Sequence, residues 1–397
     1  MPSFGRLPGF CILLLAVTGA AVGFQKGEDF HIFHYGIQMA ARHPEGVYSP
    51  LDKPIYFLYG PLFLALAWPL SFFGFAVNKA LWLGFQLVAY FAFFAALARL
   101  FPRVFSQPLV WLWGFIFVIN PIHSGFQWLN IQVPLLAVLL WAQFGAESAD
   151  RRVQWMCSAL VAWGVLIKVY PAFVGAFLYL TAGRAMRQGL WGGLLVGALL
   201  PFAVFGGEGG ATLYRGFFEN LTRLDTVDYL HAPTHIMNLH SLVFRMAHAV
   251  GEAQIAPRLS KVLTLAIAAG FFLLAGRASR RAAWKESEAS HGWFVLGLAL
   301  TVFLAPYTFM HYFIFYAPAF FWLLDRLAAG KLPRGAVAAL GMVTLLVCFT
   351  TDFIVGRDWN FQLELYSAPL CGAMLLMFVV CWLLWRDRVI LKRRGHL

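Results

Sequence analysis

Four short stretches of the 397-residue chain carry side chains with chemistry to offer. The first is Gly27-Glu28-Asp29-Phe30-His31-Ile32-Phe33-His34-Tyr35, where an acidic pair directly follows a long apolar run. A carboxylate at a water–lipid boundary can meet a polar acceptor while the lipid part of a donor stays in the bilayer. Burial beside the membrane raises a carboxyl pKa and suits it to general-base work. The plainer reading is that Glu28 and Asp29 cap a helix in water. The second stretch is Ile167-Lys168-Val169-Tyr170-Pro171, a lysine deep in apolar sequence. An ionisable group at membrane depth is a functional candidate, here a point charge for a phosphate; snorkelling to the interface is the alternative. The third is Leu304-Ala305-Pro306-Tyr307-Thr308-Phe309-Met310-His311, in which a proline breaks a helix ahead of a titratable ring. A histidine among aromatics serves equally as a satisfied core residue. The fourth is Asn238-Leu239-His240-Ser241-Leu242 with Arg245 one turn on, an arginine placed to grip a phosphate bidentately or to face lipid headgroups.

Metal binding is the sharper rival for the histidines. The pairs His31/His34 and His231/His235 can each present two imidazoles on one helical face, but neither has a clear third ligand, so no metal site is expected. The five cysteines, Cys11, Cys157, Cys348, Cys371 and Cys381, all sit in apolar runs without metal spacing and read as small hydrophobes. No phosphate-cradling glycine loop is present, which leaves a nucleotide-linked donor unsupported.

The elements that must position these residues are membrane helices. Hydrophobic residues make up 61% of the chain and charged ones only 12%, too few to cover a water-soluble surface. The apolar runs are continuous rather than alternating, which selects helices over a barrel. The net charge of +12 does not signal nucleic acid, because the basic residues punctuate the apolar runs instead of forming one patch. Placing the Lys/Arg clusters inside gives about twelve spans: 8–24, 79–99, 107–121, 130–146, 154–168, 170–183, 189–206, 259–276, 292–308, 311–326, 335–351 and 364–385. Both termini are then inside, and the first run reads as an uncleaved span rather than a signal peptide. The apolar stretch 55–75, broken by Pro61, Pro69 and Gly74, fits this topology as a re-entrant or interfacial segment. Loops 25–54, 207–258 and 352–363 fall outside and hold most of the acidic residues. No internal repeat or second soluble domain is evident.

In this order and topology the motifs resemble the family 87 glycosyltransferases of the GT-C superfamily, the polyprenyl-phosphate-mannose-dependent group. The resemblance rests on Glu28-Asp29-Phe30 after the first span, then Tyr48 and Tyr59-Gly60-Pro61. It continues with Asn130-Ile131-Gln132 at a helix start, Lys168 to Pro171, Asn238 to Ser241, and Pro306 with His311. It covers roughly residues 10–320. A Gly-Gln-x-Asn pattern is reduced here to Ile131-Gln132-Val133-Pro134, and a Ser-Pro to Ala305-Pro306.

The resemblance implies one all-α, GT-C-type transmembrane domain over 1–397, with outer loops 25–78 and 207–258. The outer loops are expected to be helical. The resemblance implies inverting transfer of a sugar, mannose by likeness, from a polyprenyl-phosphate donor to a lipid-linked or glycan acceptor at the outer face. Asp29 would be the base; Lys168, His311 and Arg245 would hold the donor phosphate. Glu28, Asn238, Ser241, Gln132 and Tyr59 would contribute to substrate binding. No obligatory metal or other cofactor is expected. Because the leaving phosphate departs as an anion, a single carboxylate suffices, where a hydrolase more often needs two. A transporter or lipid flippase shares the polytopic shape but puts its polar site at the midplane; the candidates here gather near one face.

Overall fold

The computed structural model describes residues 5–48, 57–223, 236–279, 288–305, 308–350 and 367–393, with short pieces between 355 and 363. Among the described residues every regular element is a helix. In chain order these are α1 Arg6–Gln25, α2 Glu28–Arg42, α3 Pro61–Ala67, α4 Phe75–Leu100, α5 Pro102–Ser106, α6 Pro108–Trp128, α7 Gln132–Glu147 and α8 Arg151–Ile167. They continue with α9 Ala172–Thr181, α10 Arg184–Arg223, α11 Leu239–Ala249, α12 Ala256–Ser279, α13 Glu288–Phe303, α14 Ala317–Ala328, α15 Arg334–Cys348 and α16 Ala368–Arg393.

Six of them, α1, α4, α6, α10, α12 and α16, are long and apolar enough to cross a membrane. The chain is thus an all-α, multi-pass membrane protein by length and composition, but helix length supports six spans rather than the twelve expected. The other six expected spans fall on helices of 10 to 17 residues. At about 1.5 Å per residue these reach roughly 15–25 Å, short of the hydrocarbon core. Residues 61–72 likewise form only a 7-residue helix and a 3₁₀ turn.

The chain packs as two compact units. In the unit of residues 14–96 and 123–228, a three-residue turn folds α8 back on α7. Asp150 caps α8 by accepting from the Arg152 N–H at 2.8 Å. Helix α10 lies against α8 because glycines let the two backbones touch. A Cβ at Gly193 would come within 2.6 Å of Ala159 Cα, and one at Gly189 within 2.4 Å of the Trp155 carbonyl oxygen. Gly189, Gly193 and Gly197 recur every four residues, the small-residue spacing of close membrane-helix pairs. The helix turns at Gly206 (φ 75, ψ 171), and its second half reaches the segment before α3, where Asn220 Nδ2 donates to the Phe57 carbonyl at 3.0 Å.

In the unit of residues 1–13, 97–122 and 229–397, aromatic packing such as the Phe117–Phe320 stack at 4.1 Å joins α6 to α14. At one end of this unit, Glu288 at the start of α13 meets Lys331 at 2.5 Å, Arg326 at 3.7 Å and Arg103 at 3.8 Å. Burial pushes the Glu288 carboxyl up, but the Lys331, Arg326 and Arg103 cations outweigh it and hold the pKa below the usual value. Arg103 also pairs with Asp325 at 3.0 Å and Arg326 with Asp387 at 2.8 Å. Basic clusters far apart in sequence therefore share one end of the unit.

Candidate active site

In the first of these units, four helix breaks converge on Lys168. Helix α8 stops at Ile167, and Lys168 is extended (φ −150, ψ 121), three residues before Pro171. Beside it, the Gly60 N–H donates to the Ile167 carbonyl at 2.9 Å. The approach is so close that a Cβ on Gly60 would fall 2.0 Å from the Leu166 carbonyl oxygen. This contact places Tyr59, whose hydroxyl accepts from Lys168 Nζ at 3.3 Å and whose ring centroid is 4.6 Å from that nitrogen. Tyr48 steadies the segment by donating its hydroxyl to the Tyr59 carbonyl at 2.8 Å. Tyr170 flanks Lys168 on a second side, ring centroid 5.7 Å from Nζ. Lys168 is 8% exposed.

The third break is the α1–α2 corner. Gly27 has a left-handed φ of 60 and its N–H donates to the Gln127 carbonyl at 2.9 Å, while Lys79 Nζ donates to the Lys26 carbonyl at 3.1 Å. Asp29 follows at the second position of α2, where the helix dipole favours a carboxylate. It is half-buried and interacts electrostatically with Lys168. Neither acid is the N-cap of α2, which is Gly27. Glu28 opens the helix, and its side chain lies outside the described residues.

The α6–α7 corner is the fourth. Leu129 takes a left-handed φ of 53, and its carbonyl accepts from Trp82 Nε1 at 2.7 Å. Gln86 donates to the Asn130 carbonyl, and the Asn130 side-chain oxygen accepts from the Gln132 N–H at 3.0 Å. Gln132, fully buried, accepts the Tyr170 hydroxyl proton at its Oε1. The structure thus brings together Asp29, Lys168, Tyr59 and, through Tyr170, Gln132. Tyr170 has no signal of its own in the sequence, since its partner is 38 residues away.

A groove of about 400 Å³ opens in the same unit between α3, α4, α7 and α8. Its lining is almost wholly apolar, from Ile131 and Ile167, the neighbours of Gln132 and Lys168, to Trp141 and Cys157. Ten residues of α7 span that distance, about 15 Å.

The remaining candidates lie in the other unit. Asn238 and Ser241 form the capping box of α11: Asn238 Oδ1 accepts from the Ser241 N–H at 2.8 Å, and the Asn238 N–H donates to Ser241 Oγ at 3.1 Å. Asn238 Nδ2 donates to the Ala305 carbonyl at 2.8 Å, and the Met237 N–H to that of Thr308 at 2.7 Å. Arg245 donates back to the Ile236 carbonyl at 2.5 Å and to Ser241 Oγ at 3.1 Å. Three of the expected substrate contacts therefore shape the turn that holds Ala305 and Thr308. His311 is buried on a 3₁₀ turn, 5.8 Å from the Phe309 ring; Pro306 lies outside the described residues.

His31 and His34 both pack on the Phe75 ring, and His34 Nδ1 is 3.1 Å from Asn78 Nδ2. Among the described residues no three His, Cys, Asp or Glu side chains converge as metal ligands. His231 and His235 lie outside those residues.

The first unit thus holds an electrostatically interacting carboxylate and lysine, and an apolar groove whose lining includes the lysine's neighbour Ile167. The description of glycosyltransferase family 87 matches residues 57–306, well over half of the chain, and the protein belongs to that family. Membership indicates glycosyltransferase activity. The match takes in Tyr59, Gln132, Lys168, Asn238, Ser241 and Arg245 but stops short of Glu28, Asp29 and His311. No curated protein and no solved structure matches the chain.

Proposed function

We propose that the protein transfers a sugar, mannose by resemblance, from a polyprenyl phosphate to a lipid-linked or glycan acceptor at the outer face of the membrane, with inversion. The observation that carries this reading is the Asp29–Lys168 pair beside a 15 Å apolar groove. An isoprenoid chain is all hydrocarbon and its phosphate all charge, so it needs such a slot ending near a cation. In the displacement, Asp29 takes the acceptor hydroxyl proton as the acceptor oxygen bonds to the anomeric carbon. The bond from that carbon to the phosphate oxygen breaks, and the phosphate leaves as an anion beside Lys168. Tyr59 orients the ammonium through its hydroxyl.

For His311 and Arg245 a part in holding the phosphate rests on the resemblance alone, as does a substrate role for Glu28, Asn238 and Ser241. The short segment 61–72 fits a re-entrant or interfacial element, and the shorter helices fit partial or tilted crossings packed within protein. The mechanism asks nothing of a metal.

The test is transfer from radiolabelled polyprenyl-phosphate sugars to a native lipid extract by the purified protein. Asp29→Asn is expected to lower turnover by about a hundredfold to ten-thousandfold while the protein still inserts and folds. Full activity in that variant would remove the base from the mechanism.

A further inference from the structure

Lys168 stands between two tyrosines that differ in one respect. Tyr59 is 6% exposed, and its backbone is locked on both sides, by Tyr48 at its carbonyl and by Gly60 on Ile167. Tyr170 is only half-buried, so it is the aromatic wall of the cluster that a ligand reaches. Its hydroxyl is held by Gln132, a side chain with no exposed surface. A ligand therefore meets Tyr170 and not Gln132, although Gln132 is the residue that the family pattern singles out. The Gln132 Nε2 has no acceptor among the described residues, which leaves the Tyr170 hydroxyl as the tie of that amide. Behind it, the α6–α7 corner is pinned by Trp82, Gln86 and Asn130, with Leu129 held in a left-handed conformation. Strain of this kind persists where surroundings over-determine it, and it fixes the Gln132 side chain as a rigid post.

We propose that Tyr170 is the residue against which the transferred sugar packs, and that Gln132 is its positioning residue, setting the ring angle from behind. This rests on the transferase reading above. A sugar ring presents a face of C–H groups, which suits an aromatic face, and the ring here stands 5.7 Å from the cation assigned to the phosphate next to that sugar. The phosphate and lipid tail, by contrast, belong to Lys168 and the groove, so the two halves of the donor report on different residues.

The experiment compares two probes on the full-length protein: the sugar-bearing polyprenyl phosphate as substrate, and polyprenyl phosphate without a sugar as competitive inhibitor. Transfer by the unmodified protein comes first; its absence would count against the transferase reading, not against this assignment. Tyr170→Leu is expected to raise the donor KM about fivefold to tenfold and leave the inhibition constant of the sugar-free lipid unchanged. An equal loss for both probes, or no loss for either, would overturn the assignment. Tyr170→Phe and Gln132→Leu keep the ring and guard against misfolding of the leucine variant. Each is expected to raise the donor KM by a smaller, similar factor, and the double variant to be no worse than either. Additive effects would show that Gln132 acts by some route other than Tyr170.

Discussion

At the scale of single residues, the site joins two opposite charges of unequal burial that act on each other electrostatically. Lys168 is almost withdrawn from solvent and Asp29 only half so. Removing one member of such a pair leaves the other charge uncompensated, which costs more than the pair itself is worth. Asp29→Asn should therefore lower stability by about 1–3 kcal/mol given the solvent at the carboxylate end, read as a lower thermal midpoint. Lys168→Met in the same protein should restore most of that loss, because the stranded ammonium goes too. Both variants should lose turnover by at least the roughly hundredfold expected of Asp29→Asn. Thermal unfolding of the two singles and the double checks it: a double variant less stable than Asp29→Asn would show that the two groups do not depend on each other. Asp29 and Lys168 were legible in the sequence because charges stand out against apolar neighbours. Tyr170 was not, since one tyrosine among many aromatics acquires meaning only when the fold supplies Gln132.

At the scale of elements, hydropathy located nearly every helix, and helix length supports six of the twelve expected crossings. Hydropathy located the interruptions at Lys168 and before Gln132, but not their backbone form, an extended Lys168 and a left-handed Leu129. The expected helical outer loops include α2 and the half of α10 beyond Gly206, whose bounds hydropathy did not set. The spacing Gly189, Gly193, Gly197 explains why α10 can lie on α8, and it separates two kinds of glycine. At Gly193 an added methyl would meet the Ala159 backbone at 2.6 Å, whereas at Gly84 in α4 it would meet nothing within 4 Å. Gly193→Ala should cost about 1–3 kcal/mol by overpacking, while Gly84→Ala should be neutral or stabilise by up to about 1 kcal/mol. Equal thermal shifts for the two in detergent would mean that close backbone contact does not hold α10 on α8.

At the scale of the molecule, the polar side chains sort by end. In one unit Arg103, Lys331 and Arg326 gather on Glu288 at the start of α13, while Ala305 and Thr308, past the other end of that helix, receive the α11 cap. In the other, Arg151 and Arg152 begin α8 and Lys168 follows its last residue. By the positive-inside rule the arginine-rich ends are expected at the cytoplasm, and the proposed outward-facing transfer predicts the same orientation. Labelling reads this directly. In a protein with its five cysteines replaced, single cysteines at the exposed positions Arg152 and Arg334 should react with a membrane-impermeant maleimide only after permeabilisation. A cysteine at Lys26, exposed where α1 ends, should react in intact cells. The reverse pattern would place Asp29 and Lys168 on the cytoplasmic side, where the positive-inside rule and the outward-facing transfer reaction could not both stand.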